Sequence, residues 1–256
     1  MNWKTFYALL SRDGHVARRN LLPMLLQNLL QPLLFTFVFG RVMTTSGMLP
    51  AAYKSLLLPG VMAISMVMAG VQAVAMPLIA EFQFTREIED RLLAPIDIGW
   101  LAVAKIITGM IQATFAGLVV IPAAWLLMGS GLKLDFGRPI EFAAVCLLVA
   151  LFSSTGGLAL GCSVGQTQIG LMFSLVLAPM MMFGCAYYPW SALSSFPILQ
   201  IAVLANPLVY ASEGLRGALA PQFPHMNTWL VIAALVAIDG LLLVLGLKKF
   251  QGKAVS

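Results

Sequence analysis

The sequence predicts an all-α polytopic membrane protein, and three observations carry that assignment. Of the 256 residues, 60% are hydrophobic and only 10% are charged, against about 25% charged in a soluble domain. Six apolar runs recur along the chain, each near the 20 or so helical residues needed to cross a bilayer's hydrocarbon. The basic residues gather at the ends of those runs, as topogenic lysines and arginines do. The net charge of +5 is therefore spread over span ends and is no signal for nucleic acid. A single transmembrane domain, residues 1–256, is expected.

The opening stretch, "MNWKTFYALLSRDGHVARRN", has neither the apolar core nor the small-residue cleavage site of a signal peptide. Trp3, Phe6, Tyr7 and Leu10 fall at helical spacing, with Lys4 and the later arginines off that stripe. This predicts an interfacial helix. Spans are then expected over about 21–42, 55–79, 101–128, 140–164, 169–187 and 229–247. Pro59, Pro77 and Pro179 fall inside spans, where neighbouring helices and hydroxyls can satisfy the freed carbonyls. With the N-terminus inside, ten Lys and Arg residues lie on the inner side (Lys4, Arg12, Arg18, Arg19, Arg86, Arg91, Lys105, Lys248, Lys249, Lys253) and five outside (Arg41, Lys54, Lys133, Arg138, Arg216). That bias predicts both termini in the cytoplasm.

Ser153, Gly157, Gly161 and Gly165 recur every four residues along the fourth span, a small-residue stripe that permits close helix packing within the chain or with a second copy. Cys146, Cys162 and Cys185 lie in or beside apolar runs and read as packing residues. Asp239 falls near the middle of the last span, where an acid is either structural or functional and should be neutral or hydrogen-bonded. Gln72 and Gln112 add neutral polar groups, so these three are candidates for a substrate path or for structural polar contacts. Between Tyr188 and Thr228, the run "FPILQIAVLANPLVY" is too apolar for disorder and too broken by proline to span. Two short helices, a re-entrant hairpin in the outer leaflet, are expected there, with Trp190, Phe196 and Trp229 at the interface.

Enzyme chemistry finds no support. His15 and His225 lie outside the spans; there is no His-Glu-x-x-His motif, no Gly-x-Ser-x-Gly elbow and no intramembrane carboxylate pair. No metal ligand set is evident. The phosphate-binding Gly-x-x-x-x-Gly-Lys-Ser/Thr loop is absent too: Gly252-Lys253 is followed by Ala254. Energy must come from a partner or an ion gradient, and no inverted repeat favours the gradient-driven carrier.

Residues 84–95, "FTREIEDRLLAP", interleave Arg86, Glu87, Glu89, Asp90 and Arg91 between two nearly uncharged stretches. Phe84, Ile88 and Leu92 form one helical face, and the Arg86/Asp90 and Glu87/Arg91 pairs sit four apart, each worth a few tenths of a kcal/mol. Pro95 ends the helix. A short charged helix with apolar anchors suits a protein interface, and a cytoplasmic ATPase is the natural partner.

The segment "FTREIEDRLLAPIDIGWLAVAKII" resembles the cytoplasmic coupling segment of the ABC type-2 permeases, membrane subunits of ATP-binding-cassette exporters that include drug-efflux and nodulation-factor exporters. "LLLPGVMAIS", Leu56–Ser65, resembles that family's second span. "PMMMFGCAYYPWSALSSFPILQIAVLANPLVYASEGLRGAL" resembles its fifth span and outer loop, matching at Pro179, Gly184, Tyr188-Pro189, Asn206-Pro207 and Arg216. Met182-Phe183-Gly184 departs from the Leu-Ser-Gly common in the family. The resemblance implies a bacterial cytoplasmic-membrane exporter permease acting as two copies of this chain, or as this chain with a homologue. It would have no bound cofactor of its own, and two separate ATPase subunits would hold ATP and magnesium. Phe84, Arg86, Glu87, Ile88, Glu89, Arg91 and Leu92 would dock those ATPases. Pro189, Trp190, Asn206, Pro207 and Arg216 would shape an outer re-entrant hairpin. Spans rich in Met and Phe suit an apolar or amphipathic, drug-like or lipid-linked cargo; polysaccharide or lipo-oligosaccharide export is the alternative.

Overall fold

A computed structural model describes residues 14, 21–83, 98–129 and 131–255. The expected interfacial helix around Trp3–Leu10 and the expected coupling helix from Phe84 to Leu92 lie outside these residues. Among the described residues the secondary structure is helical throughout. Eight helices organise it: α1 Leu21–Phe37, α2 Tyr53–Gln83, α3 Ile98–Met128, α4 Pro139–Ser163, α5 Ile169–Met182, α6 Pro197–Ala202, α7 Pro207–Leu219 and α8 Thr228–Val255.

Burial shows which helix lies innermost. The most apolar stretch of α2 is 72% buried, against 28% in α3 and 22% in α8, so α2 is the core around which the others pack. Its interior prolines, Pro59 and Pro77, leave the helix continuous over 31 residues. In α1, the Thr36 hydroxyl donates to the Pro32 carbonyl one turn back at 2.8 Å. The helix then passes through a π-helical turn, Val38–Val42, to a last turn at Met43–Thr45.

Small residues set the closest approach. A Cβ on Gly157 would lie 2.8 Å from the Val71 carbonyl oxygen, and one on Gly161 2.9 Å from the Ala75 Cα. The Ser153 hydroxyl would sit 2.0 Å from a Cβ on Gly70. The stripe on α4 is therefore used inside the chain, against α2. Gly165 does not belong to it. Helix α4 ends at Ser163, and Val164 is extended (φ −99°, ψ 135°), so Gly165 falls into a turn closed by the Gln168 amide on its carbonyl at 2.9 Å.

The two basic residues after α1 cap a neighbour. Arg41 donates to the Leu127 carbonyl at 3.1 Å and Lys54 to that of Met128 at 2.9 Å. Both cations meet the carbonyl end of α3, where the helix dipole favours them. Helices α4 and α8 run side by side in the same direction. Gly214 faces both Val145 and Val231 near their starts, and Lys249 donates to the Ser163 hydroxyl at 2.7 Å near their ends.

Four of the described helices, α2, α3, α4 and α8, are long and apolar enough to cross a membrane alone; α6 and α7 would add a fifth if their 97° bend counts as one span. The fifth sequence run was expected to continue to Tyr187, and this is corrected: α5 stops at Met182. Its fourteen residues span about 21 Å at 1.5 Å per residue, short of a hydrocarbon core about 30 Å thick. The first run is helical from Leu21 through Thr45, and the last helix outruns its expected end at Leu247 to reach Val255.

Candidate functional site

The reason α5 stops is a set of donors 30 residues away. Past Met182 the chain turns through Gly184, where a Cβ would lie 2.4 Å from Leu208 Cδ2, and Cys185, which adopts φ 51°. That left-handed conformation is uncommon for any residue but glycine. Four successive carbonyls are then taken by side chains instead of by the next helical turn. Ser212 Oγ donates to the Gly184 oxygen at 2.6 Å, and Arg216 Nη2 to those of Cys185 at 2.8 Å and Ala186 at 3.4 Å. Tyr53 Oη reaches the Tyr187 oxygen at 2.7 Å. A Cβ on Gly60 of α2 would lie 1.8 Å from the Ala186 oxygen, so only glycine lets the α2 backbone come this close.

At the centre lies a buried ion pair. Arg216 and Glu213 are 0% and 1% exposed. Glu213 Oε1 accepts from the Arg216 guanidinium and from the Trp190 amide at 2.9 Å; Oε2 accepts from the Met226 amide at 2.9 Å. The pair thus ties α7 to the start of the 3₁₀ turn Trp190–Ser195 and to the approach to α8. Burying two charges is favourable only when their remaining valences are met this way. Arg216 Nε has no hydrogen-bond partner among the described residues.

The expected hairpin residues converge on this elbow. Pro189 precedes the 3₁₀ turn, extended at ψ 150°. Trp190 Nε1 donates to the Gln200 carbonyl at 3.0 Å, joining that turn to α6. Asn206 caps α7, its Oδ1 accepting from the Leu208 amide at 3.0 Å while Nδ2 donates to the Met180 carbonyl at 2.7 Å. Pro207 occupies the first turn of α7, where its missing N–H costs nothing. Sequence reasoning reached Arg216 but missed Glu213, Ser212 and Tyr53. The signal for Glu213 was present in "ASEGLRGAL": opposite charges three apart in an apolar stretch are a helical pair. Nothing near Tyr53 in sequence pointed to Tyr187.

The opposite end of α2 carries a second buried pair. Lys105 Nζ donates to Glu81 Oε1 at 2.6 Å, the two residues being 6% and 7% exposed. It joins the end of α2 to the start of α3, on either side of residues 84–97. Phe82 packs edge-on to Phe250 with ring centres 6.0 Å apart, and the Lys253 ammonium lies 4.9 Å from the Phe82 ring centre. The end of α2, the start of α3 and the end of α8 thereby meet at one place; the expected coupling residues, which follow α2 in the sequence, lie outside the described part.

The polar candidates of the spans do not assemble. Gln72 and Gln112 are half-buried on α2 and α3. Asp239 is 3% exposed, and neither of its oxygens has a hydrogen-bond partner among the described residues. Of the two states expected for it, neutral or hydrogen-bonded, the second finds no partner among the described residues, and neither glutamine bonds to it.

Among curated proteins none matches the chain. The family model for the ABC-2 type transporter matches residues 5–220.

Proposed function

Because this chain belongs to the ABC-2 type transporter family, whose members are membrane permeases, we propose that it is the permease subunit of an ATP-driven exporter. Two copies form the export path, and two separate ATPases dock on Phe84, Arg86, Glu87, Ile88, Glu89, Arg91 and Leu92 at the cytoplasmic face. ATP and magnesium are held by those ATPases. Both termini lie in the cytoplasm, the elbow faces outward, and the membrane is a bacterial cytoplasmic one. The cargo is apolar or amphipathic, drug-like or lipid-linked, in keeping with spans whose exposed surfaces are rich in Leu, Val, Ile and Phe.

The observation that carries this reading is α2. At one end it is fastened to α3 by Glu81 and Lys105, either side of the docking segment. At the other it touches the elbow through Gly60 and the Tyr53 hydroxyl. Its 31 residues cover about 46 Å, and its buried core keeps it rigid. A displacement of the docking segment on nucleotide closure therefore reaches the elbow through one packed element, a physical route for coupling.

Reconstitution tests it. The chain co-expressed with a candidate ATPase of the same cell and placed in vesicles should move an amphipathic fluorescent dye in an ATP-dependent way. Transport that survives a hydrolysis-dead ATPase and follows an ion gradient would make the protein a carrier instead.

A further inference from the structure

Asp239 belongs to neither buried ion pair, and its place in the bundle is set by the face of α8 that carries it. Val231, Leu235, Asp239, Gly246 and Phe250 are buried, and their spacing puts them on one face of the helix. That face meets α4. Near its start Gly214 of α7 packs against Val231 and Val145 together; further along, a Cβ on Gly246 would lie 3.1 Å from Leu158 Cδ2 and 3.5 Å from the Thr155 carbonyl oxygen. Asp239 therefore lies midway along the seam, level with the α4 stretch between Val145 and Thr155. It is at mid-depth too. Ten helical steps separate it from Trp229 and eight from Leu247, about 15 Å and 12 Å, in a hydrocarbon core about 30 Å thick.

Nothing on the facing helices answers a charge there. The residue is 3% exposed, and both carboxyl oxygens are buried without a hydrogen-bond partner among the described residues. The hydroxyls of that α4 stretch give their protons to its own backbone. Ser153 and Ser154 donate to the Ala150 carbonyl at 2.9 and 2.8 Å, and Thr155 to that of Leu151 at 2.8 Å. The ionisable groups on the helices packed against α8 are engaged elsewhere. Glu141 of α4 pairs with Arg138, Glu213 of α7 with Arg216, and Lys105 of α3 with Glu81. Tyr210 of α7 donates to the Leu204 carbonyl at 2.9 Å, and Cys146 and Cys162 of α4 are buried free thiols. On α8 itself Lys248 is exposed, Lys249 donates to Ser163 and Lys253 lies over the Phe82 ring. An isolated carboxylate at such a position would lose its hydration with no compensation, and a group so placed takes up a proton instead.

From its place in the α4–α8 seam and the lack of any partner there, we infer that Asp239 is a proton-binding site. Its carboxyl carries a proton while α8 is seated on α4, and α8 cannot stay seated once that proton has passed to water. The ligand is the proton alone, and the strength of the seam is thereby set by pH. The site needs neither an ATPase nor a cargo, so it stands apart from the exporter reading.

Infrared spectroscopy reads the proton directly. The full chain is reconstituted at neutral pH in vesicles of phosphatidylethanolamine and phosphatidylglycerol, and the spectrum of Asp239→Asn is subtracted from that of the wild type. The difference should hold the C=O stretch of a protonated carboxyl, moved to lower frequency when the aspartates carry ¹³C at the side-chain carboxyl. A carboxylate stretch in its place overturns the site. Stability gives a second reading. Above about pH 4 the unfolded chain has shed this proton while the native state keeps it. Each further pH unit should therefore weaken the folding equilibrium roughly tenfold, until the native state sheds it too. The wild-type melting temperature should fall with rising pH more steeply than that of Asp239→Asn, which has no proton to lose there. Asp239→Leu, close in size and apolar, serves as the reference if the asparagine variant folds poorly, and it should melt no lower than the wild type at alkaline pH. Parallel pH profiles for the wild type and a folded variant overturn the proposal. So does a wild-type melting temperature that rises with sodium or potassium at fixed pH while that of the variant does not, which would make Asp239 an ionised ligand for a metal cation.

Discussion

Glu213 takes three donors on two oxygens, from Arg216, Trp190 and Met226, and each comes from a different stretch of the elbow. Its truncation leaves a guanidinium buried at 0% exposure with its charge unanswered. Breaking a buried pair from one side costs about 3–5 kcal/mol, and two orphaned amides add about 1–3 kcal/mol each. Glu213→Ala should therefore fail to assemble the elbow, read as a large fall in the melting temperature of the purified protein. Glu213→Gln keeps the shape but turns an NH₂ group toward an N–H donor, so it should fall between the two. A Glu213→Ala protein melting with the wild type would show that the pair holds nothing together. Asp239 is the contrasting case. Its position in the last span was legible as soon as the spans were counted, but its surroundings were not, because they depend on which face of α8 turns inward.

At the scale of elements, a sequence shows periodicity and hides long-range hydrogen bonds. The spacing of Ser153, Gly157 and Gly161 is local, and the face it predicts is the one that meets α2. Gly165 has the same spacing and fails, because Val164 leaves the helix first and spacing carries no information once the helix ends. The end of α5 was illegible for a different reason. The apolar run continues to Tyr187, and what stops the helix at Met182 are Ser212 and Arg216, about 30 residues on. The bent pair α6 and α7 was readable from Pro197, Pro207 and the cap residue Asn206, since proline and an Asx cap act where they stand. Gly161→Leu tests the packing face. With 2.9 Å between a Cβ there and the Ala75 Cα, a leucine must push α4 from α2 backbone to backbone, an overpacking cost of about 1–3 kcal/mol or more. Expected are lower yield and lower thermal stability whatever the oligomeric state. A stable Gly161→Leu chain that has lost only its self-association would move the stripe to the interface between copies.

For the whole molecule, the question is whether its two buried ion pairs are structure or transmission. Glu81 and Lys105 lie on either side, in sequence, of the segment proposed to dock the ATPases, and Glu213 and Arg216 sit at the far end, with α2 in contact with both pairs' regions. A buried pair is weak evidence for stability, because well-packed apolar residues of similar size often replace one at no loss or with a gain of about 1–4 kcal/mol. That property separates the two roles. Lys105→Met alone removes one half of the buried pair, so both stability and ATP-driven transport should fall. Adding Glu81→Met makes the contact apolar on both sides, and the melting temperature should return toward the wild-type value. If the pair only holds α2 to α3, transport returns with stability. If it carries the motion of the docking segment into α2, a greasy contact that can slide will not replace it. The double variant should then bind its ATPase, hydrolyse ATP at the wild-type rate and move little dye. The second outcome is the expected one, because the pair bridges the two ends of the segment that would be pushed. Full transport by the stable double variant would falsify it and return Glu81 and Lys105 to the scaffold.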